Sequence, residues 1–465
     1  MLSTMQSNEP MIEVASNNIC VGCGACAVVN SKVSIVRDKY GMPRANLTDV
    51  DRDGLKFIAS ICPVSSVSDN EDVLGVELFP RAKNFDSGIG KYESLHAGRV
   101  SDDSVVRGSS SGGLTTWLLV ELLARGEIDG VVHVGKDGGD EGDLFGFCVS
   151  SSVEEVLENR KSQYYAASFD GAVRQALATT KRYAFVGVPC HVKALRLLSK
   201  HDVSVRNSFP FVIGLVCGHL KSPAFAELLA WQLGIPPRDL AAVDFRVKAP
   251  GKQVHEYLFS ATDKSGAKHE RTSSKLFGAL WGHAAFQLEA CDYCDDIFAE
   301  TADVCFGDAW LPKYANEWRG TNVVVVRNAA IGEIFVGGKE RGDVSFEPLS
   351  PRDLVESNAG NFRHRRDGLS FRLEEKVRAG TWAPIKRVLP GSVGLTRRRR
   401  SIVRLRQRMS TLSHESFLRA KSKDDLNLYF LDMSPYAEKM ARLSRVSVFE
   451  RIVRKAFRVL GRIFG

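Results

Sequence analysis

Long apolar runs are missing from this chain of 465 residues; none reaches the roughly 20 residues that a membrane-spanning helix needs. The opening stretch MLSTMQSNEPMIEV has neither a basic flank nor an apolar core, so no secretory signal peptide is expected. There is no internal repeat, and no low-complexity tract apart from Arg397 to Arg400, so nothing supports a solenoid or a disordered array. Basic charge is also scarce where a nucleic-acid surface would need it. The net charge is +8, but from Gly391 to Gly465 there are 18 Lys+Arg against 6 Asp+Glu, which leaves the rest of the chain at 45 against 49. A tail that carries all the excess, below a body without interleaved basic and aromatic residues, argues against nucleic acid as a partner.

What is present is cysteine in ligand spacing. Cys20, Cys23 and Cys26 stand in the run CVGCGAC, and Cys62 with Pro63 behind it follows thirty-six residues after the last of them. A C-x2-C-x2-C turn with a distant Cys-Pro is the pattern that gives a 4Fe-4S cube four converging thiolates. Gly22, Gly24 and Ala25 are small enough for the backbone to wrap such a cluster. No second triplet lies nearby, so Cys62 is expected to close the same cluster. The alternatives are a structural zinc site, which usually takes two C-x2-C pairs, and a disulfide framework, which suits small secreted chains. Ten cysteines in this length, several at ligand spacing, point to a reducing cytoplasm.

The length calls for two or three domains, and 44% hydrophobic with 25% charged residues is the balance of a globular protein. Residues 1–75 read as a small iron–sulfur module of ferredoxin-like character, and residues 71 to about 95 as a connector. Beyond it, helical periodicity (LTTWLLVELLARGEI, SVEEVLENR, DGAVRQALATT, HVKALRLLSK) alternates with continuous apolar runs (DGVVHVG, YAFVGV, FVIGLVC). That alternation predicts an α/β core with a mostly parallel sheet, whose site lies at the carboxyl ends of the strands. From about Val243 to Val326 shorter strands (VDFRV, HEYLFSA, DVCFGDAW, NVVVVRN) surround a predicted apolar helix, LFGALWGHAAF. Residues 346–465 read as a helical, basic tail.

Two further features carry chemistry. GSSSGG, Gly108 to Gly113, precedes a helix without a clear strand before it; its N–H groups can approach a pyrophosphate, or it is a serine-rich cap with no ligand. It is not the G-x-G-x-x-G dinucleotide fingerprint. Cys291 and Cys294 form a C-x2-C pair in ACDYCDD, while Cys190 and Cys217 end the apolar strands VGVPC and IGLVC. The set Cys190, Cys217, Cys291 and Cys294 is therefore the candidate second cluster, with zinc or free thiols as the alternative. Cys148 and Cys305, inside strand-like runs, read as small buried hydrophobes. His133 and His283 read as core or interface residues.

GSSSGGLTTWLLVELLARGEIDGVV resembles the N-terminal domain of the coenzyme F-420 hydrogenase/dehydrogenase beta subunits. VGVPCHVKALR, IGLVCGH, CDYCDDIFAETADVCFGDAW and TNVVVVRN resemble their C-terminal domain. The likeness spans roughly residues 5–330, with family domains over 92–178 and 179–345. It implies an iron–sulfur flavoprotein that binds FAD and passes electrons between clusters and a two-electron acceptor such as F-420; a plant branch reduces a chlorophyll derivative. It implies flavin phosphate contacts at Ser110, Ser111, Gly112 and Gly113. Lys161, Ser162 and Tyr164 would stand beside flavin or substrate, with Asp308, Thr321 and Asn322 near the same pocket, and the second cluster gains support. Two positions depart from the family pattern: Cys305 stands in place of a serine, and His191 in place of a glutamine. An imidazole at His191 can protonate a flavin or product, or merely cap a helix. Lys161, His191 and Asp308 are the candidate catalytic residues.

The expected activity is thus electron transfer from a ferredoxin-like donor or redox subunit, through 4Fe-4S clusters and FAD, to a small organic acceptor. The alternative is a non-catalytic relay subunit of a larger complex. The terminal run SVFERIVRKAFRVLGRIFG sets apolar residues on one helical face and arginines on the other, the pattern of an interfacial helix. Peripheral contact with the inner face of a membrane through residues 445–465 is one reading of that pattern, and docking on the body or on a partner is the other.

Overall fold

Continuous apolar runs condense into one eight-stranded sheet. Its strands, numbered in chain order, are β1 (Ser94–Val100), β2 (Gly130–Gly135), β3 (Gly146–Ser150), β4 (Tyr183–Gly187), β5 (Phe211–Leu215), β6 (Val304–Asp308), β7 (Asn322–Val326) and β8 (Val344–Pro348). The computed structural model describes residues 10–445 apart from 137, 140 and 141, so the predicted terminal helix lies outside the described residues.

The strand order is β8-β1-β7-β6-β5-β4-β2-β3. Only β2, β4, β5 and β6 run parallel to their mutual neighbours. The other four pairings, including β6 with β7 and β1 with both β7 and β8, are antiparallel. The sheet is therefore mixed, not mostly parallel. The apolar run of β7 reflects burial on both faces, which says nothing of strand direction.

Helices cover both faces. Leu114–Ala124, Pro189–His201 and Asp170–Leu177 fall on the predicted periodic segments, and Ser152 caps Val153–Glu158 by accepting the Glu155 N–H. LFGALWGHAAF does not form an α-helix: only Trp281–His283 makes a 3-10 turn, because Ala284 and Phe286 take left-handed backbone that no helical ladder allows. The segment expected as a connector is also structured. It holds the helix Glu71–Leu78, capped by Asn70, and the hairpin Asn84–Asp86 with Gly90–Tyr92. The N-terminal module comprises the helices Pro10–Ser16, Ala25–Val29 and Arg52–Ile61 around the hairpin Ser34–Arg37 and Pro43–Asn46. A three-stranded sheet, Leu240–Val247, Leu258–Asp263 and Lys268–Thr272, stands apart from the main one.

The tail is helical as expected, but it folds inward. Gly368–Arg378, Arg397–Lys423 and Asn427–Ser444 pack over the body, and Arg365, Arg372 and Arg406 are buried. Among the described residues no helix is long and apolar enough to cross a membrane.

Two buried histidines tie this packing together. His133 on β2 hydrogen-bonds Ser150 Oγ on β3 at 2.8 Å, and His414 in the tail reaches Ser222 Oγ at 3.0 Å. Burial lowers both to about 4. Because the unfolded imidazoles titrate near 6.5, this packing is fully stable above that pH and weakens as pH falls toward 4. Each group is expected to cost about 1.4 kcal/mol per pH unit within that window. Denaturant midpoints at pH 7.5 and 5 should show the loss, and His133→Asn with His414→Asn should flatten it.

Candidate functional site

The N-terminal cysteine loop turns on glycine. Gly22 and Gly24 have φ of +66° and +89°, and a Cβ at Gly22 would meet the Pro43 carbonyl oxygen at 2.3 Å. No other residue fits, so the loop brings Cys20, Cys23 and Cys26 round to Cys62, which ends the helix Arg52–Ile61. The four thiols pack on one core. Burial raises the Cys23 thiol well above its ordinary value, and Cys26, Cys62 and Cys20 add to the effect; Cys62 is pushed up to about 12, again mainly by burial. Thiols gathered in this way have the chemistry of a metal donor set once they lose their protons.

The second set assembles at the carboxyl ends of parallel strands. Cys190 opens the helix after β4, Cys217 follows β5, and Cys291 and Cys294 come from the turn after Glu289. All four line one small cavity of about 40 Å³. Backbone and side-chain donors already point at sulfur: the Leu220 N–H donates to Cys291 Sγ at 3.3 Å, and the buried Arg365 guanidinium donates to Cys294 Sγ and to Cys217 Sγ, the latter at 3.7 Å. Such donors favour thiolates. Cys190 is raised by burial, then by Cys217, Cys294, Cys291 and Cys23, so it stands near both sets. Among the described residues, no three His, Cys, Asp or Glu side chains close on a single metal ion. The gathering of the thiols, their burial and the N–H donors around them fit the wider corners of a cube instead. Cys305 is buried in β6, as expected, and Cys148 is only half-buried.

A larger cavity of about 570 Å³ adjoins this one. Ser110, Ser111, Gly113, Lys161, Ser162, Tyr164, His191, Asp308 and Asn322 all line it. The serine loop follows β1 and a short helix, Asp103–Arg107, so a strand does precede it. Ser110 Oγ accepts the Ser162 N–H at 2.9 Å, which joins the serine loop to the KSQYY segment. Gly112 and Thr321 stand behind the wall: the Thr321 carbonyl accepts the Ser111 hydroxyl at 3.1 Å. Asn322 spends its amide on the fold, with Oδ1 accepting the Leu114 N–H at 3.2 Å and Nδ2 donating to the Gly307 carbonyl at 3.1 Å. Lys161, in left-handed backbone, pairs with Asp244. His191 meets the Ala167 carbonyl through Nε2 at 3.1 Å, and burial lowers it to about 4, so the ring is neutral near pH 7.

Asp308 makes a two-pronged ion pair with Arg246, at 2.6 and 3.0 Å. Arg246 also stacks on Tyr257 and Trp310, so the cation is fixed in the cavity wall. Sequence reasoning missed it, although a charged residue within VDFRV, where a strand turns toward the core, was a signal. Lys221, His219, Trp281 and Arg365 were missed too: the first two follow a strand end, Trp281 was read into a helix that does not form, and Arg365 into a solvated basic tail. Cys217 lines both cavities, so the thiol set shares a wall with the larger chamber.

Family comparison agrees with these landmarks. The chain matches the coenzyme F420 hydrogenase/dehydrogenase beta subunit N-terminal domain over residues 95–174 and the C-terminal domain over 180–352. The chain belongs to this family. Among its relatives, one of the subunits of the F(420)H(2) dehydrogenase of Methanosarcina mazei is 24% identical over 386 residues, covering 79% of this chain and 98% of that protein. The coenzyme F420-dependent sulfite reductase of Methanocaldococcus jannaschii is 26% identical, with 72% of this chain aligned to 48% of its length. A chain of the F420-reducing [NiFe] hydrogenase complex from Methanosarcina barkeri aligns at 17% identity and a TM-score of 0.47, over 63% of this chain and 96% of that one. The two curated relatives are named as an oxidoreductase and a subunit of one, which supports a redox role. The family match ends before Arg365 and Arg406, which the tail adds to the linings of the two cavities.

Proposed function

We propose that this chain is an iron–sulfur flavoprotein oxidoreductase. In this reading it takes electrons from a ferredoxin-like donor or partner subunit and delivers them to an organic two-electron acceptor, coenzyme F420 being one candidate. The observation that supports it best is the position of Cys217 on the wall between the thiol cavity and the larger chamber. Cys20, Cys23, Cys26 and Cys62 would hold the first 4Fe-4S cluster, and Cys190, Cys217, Cys291 and Cys294 the second. The serine loop from Ser110 to Gly113 would meet FAD phosphates. When bound, clusters supply single electrons and a flavin accepts one or two, so such a pair joins one-electron supply to hydride-like output.

The protein's own contribution is placement. Arg365 stabilises the thiolates of the second set. Arg246 and Asp308 hold each other at the chamber wall, and Lys161, held by Asp244, keeps a cation at its mouth. Lys161, His191 and Asp308 are proposed to contact flavin or acceptor. A neutral His191 would serve as a hydrogen-bonding partner rather than as a source of protons at pH 7.

Anaerobic purification should give a coloured protein with about eight iron atoms and one flavin per chain. A colourless, iron-free protein after anaerobic reconstitution would defeat the reading. The relatives named as subunits favour a second possibility, a relay subunit that docks on a catalytic partner. Full cofactor content without reduction of any small acceptor, together with a copurifying catalytic subunit, would support it.

A further inference from the structure

Among the described residues several buried or half-buried cations face carboxylates: Arg196 meets Asp303, Lys193 meets Glu71, Arg246 meets Asp308 and Arg387 meets Glu300. One group in the large cavity does not. Lys221 is 1% exposed, and its ammonium donates to the Ala285 carbonyl while lying 4.6 Å from the Phe225 ring and 5.0 Å from the Trp281 ring. Among the described residues no carboxylate comes within ion-pair distance of it. Arg406 donates from one amino group to the Trp281 and Gly282 carbonyls at 3.1 and 2.7 Å, and its Nε is buried without a partner. His219 lies 4.4 Å from Trp281, ring centre to ring centre, and its Nε2 is also buried without a partner. All three side chains line the chamber.

We propose that His219, Lys221 and Arg406, arranged around Trp281, bind the anionic group of the organic acceptor, a carboxylate or a phosphate ester. The proposal names the substrate class of the chamber described above and rests on that reading. Burying unpaired positive charge and unsatisfied N–H groups is costly, and an anion with two or three acceptor oxygens relieves both costs at once. The acid that acts on Arg406, Asp292, is already engaged by Gln287 at 2.9 Å and by Arg372 at 3.8 Å. Nor are these cations needed by the thiols, since Arg365 already donates to Cys294 and Cys217. Burial, reinforced by Arg406, holds Lys221 well below the ordinary lysine value, and a bound anion would restore its charge. Arg406 comes from the helix Arg397–Lys423, beyond the family match.

Calorimetric titration of the full-length, cofactor-loaded protein with inorganic phosphate and, separately, with acetate, at constant ionic strength, tests the proposal. Saturable binding of at least one anion is expected, weakened at least about tenfold in Lys221→Met and in Arg406→Met and kept in Lys221→Arg. The exposed control Lys200→Met should bind as the parent does. Preference for phosphate or for acetate tells the two acid classes apart. The proposal is overturned by absence of saturable binding in the parent, or by equal binding in folded Lys221→Met. It is also overturned if Lys221→Met loses iron while its anion affinity is unchanged, since the cations would then serve the thiolates. Should Lys221→Met fail to fold, as judged by circular dichroism, the parent and Arg406→Met decide. Iron and flavin are assayed on the same samples. Anion binding that depends on Lys221 in flavin-free protein would leave this proposal standing and remove the flavoprotein reading instead.

Discussion

Cys217→Ala is expected to reduce iron from about eight atoms per chain to about four and to stop reduction of the flavin by an external donor, while flavin stays bound. Removing one thiol leaves a corner of the cube without its ligand and makes the cluster labile, and Cys217 is the member of its set that borders the larger chamber. The serine loop proposed for the flavin phosphates hangs from β1 and the helix Leu114–Ala124, on contacts that Cys217 does not make. Iron and acid-labile sulfide assays, electron paramagnetic resonance and flavin absorbance read the outcome. Retention of all the iron would remove Cys217 from the ligand set. Loss of flavin along with the cluster would show that the second site is a structural support for the chamber. Cys305→Ala is the matched control: that thiol is equally buried, in β6, and outside both sets, so it should leave iron content unchanged.

The second large effect is one of stability. Arg387→Ala should cost about 3–5 kcal/mol, because it leaves buried carboxylates uncompensated. Its guanidinium bridges Glu300 at 2.7 and 2.9 Å, Asp295 at 3.4 Å and Glu71 at 3.6 Å, with Asp72 at 2.8 Å on the surface side. Glu71 belongs to the segment after the N-terminal module, Asp295 and Glu300 follow the Cys291–Cys294 pair, and Arg387 comes from the tail. One side chain therefore clamps three distant parts of the chain around the thiols. Lys193 and Lys386 hold Glu71 and Asp295 in part, at 3.4 and 3.3 Å, and soften the loss without replacing the two-pronged bond to Glu300. Denaturant unfolding measures the cost, and Arg387→Lys should lose less. If Arg387→Ala unfolds at the parent's midpoint, the network is a solvated ornament rather than a clasp.

The clasp illustrates what a linear reading could and could not reach. Cys20, Cys23, Cys26 and Cys62 stood out because their spacing is written along the chain itself, and the fold packs the four thiols on one core. Cys190 and Cys217 were legible because apolar strands end where they stand, and the carboxyl ends of parallel strands are where sites form. The direction of β1, β7 and β8 was not legible, since an apolar run records burial and not polarity. LFGALWGHAAF misled for a related reason: its apolar residues line a loop under the tail, where Ala284 and Phe286 take left-handed backbone. Thr321 and Gly112 lie close to the chamber in sequence terms, yet they support its wall from behind.

The tail shows the sharpest division. Its charge was plain from composition, and an excess of arginine reads most simply as a solvated or membrane-facing surface. Several arginines of residues 346–465 instead turn inward: Arg365 against two cysteine sulfurs, Arg406 in the chamber wall, Arg387 among buried carboxylates. By itself the sequence determined the ligand spacing, the alternation of helix and strand, and the family, because each of these is written in local pattern. Only the tertiary structure decided that the second thiol set shares a wall with the larger chamber and that distant basic residues complete that chamber. Partners for buried charge are chosen by proximity in space, and no spacing along the chain encodes that.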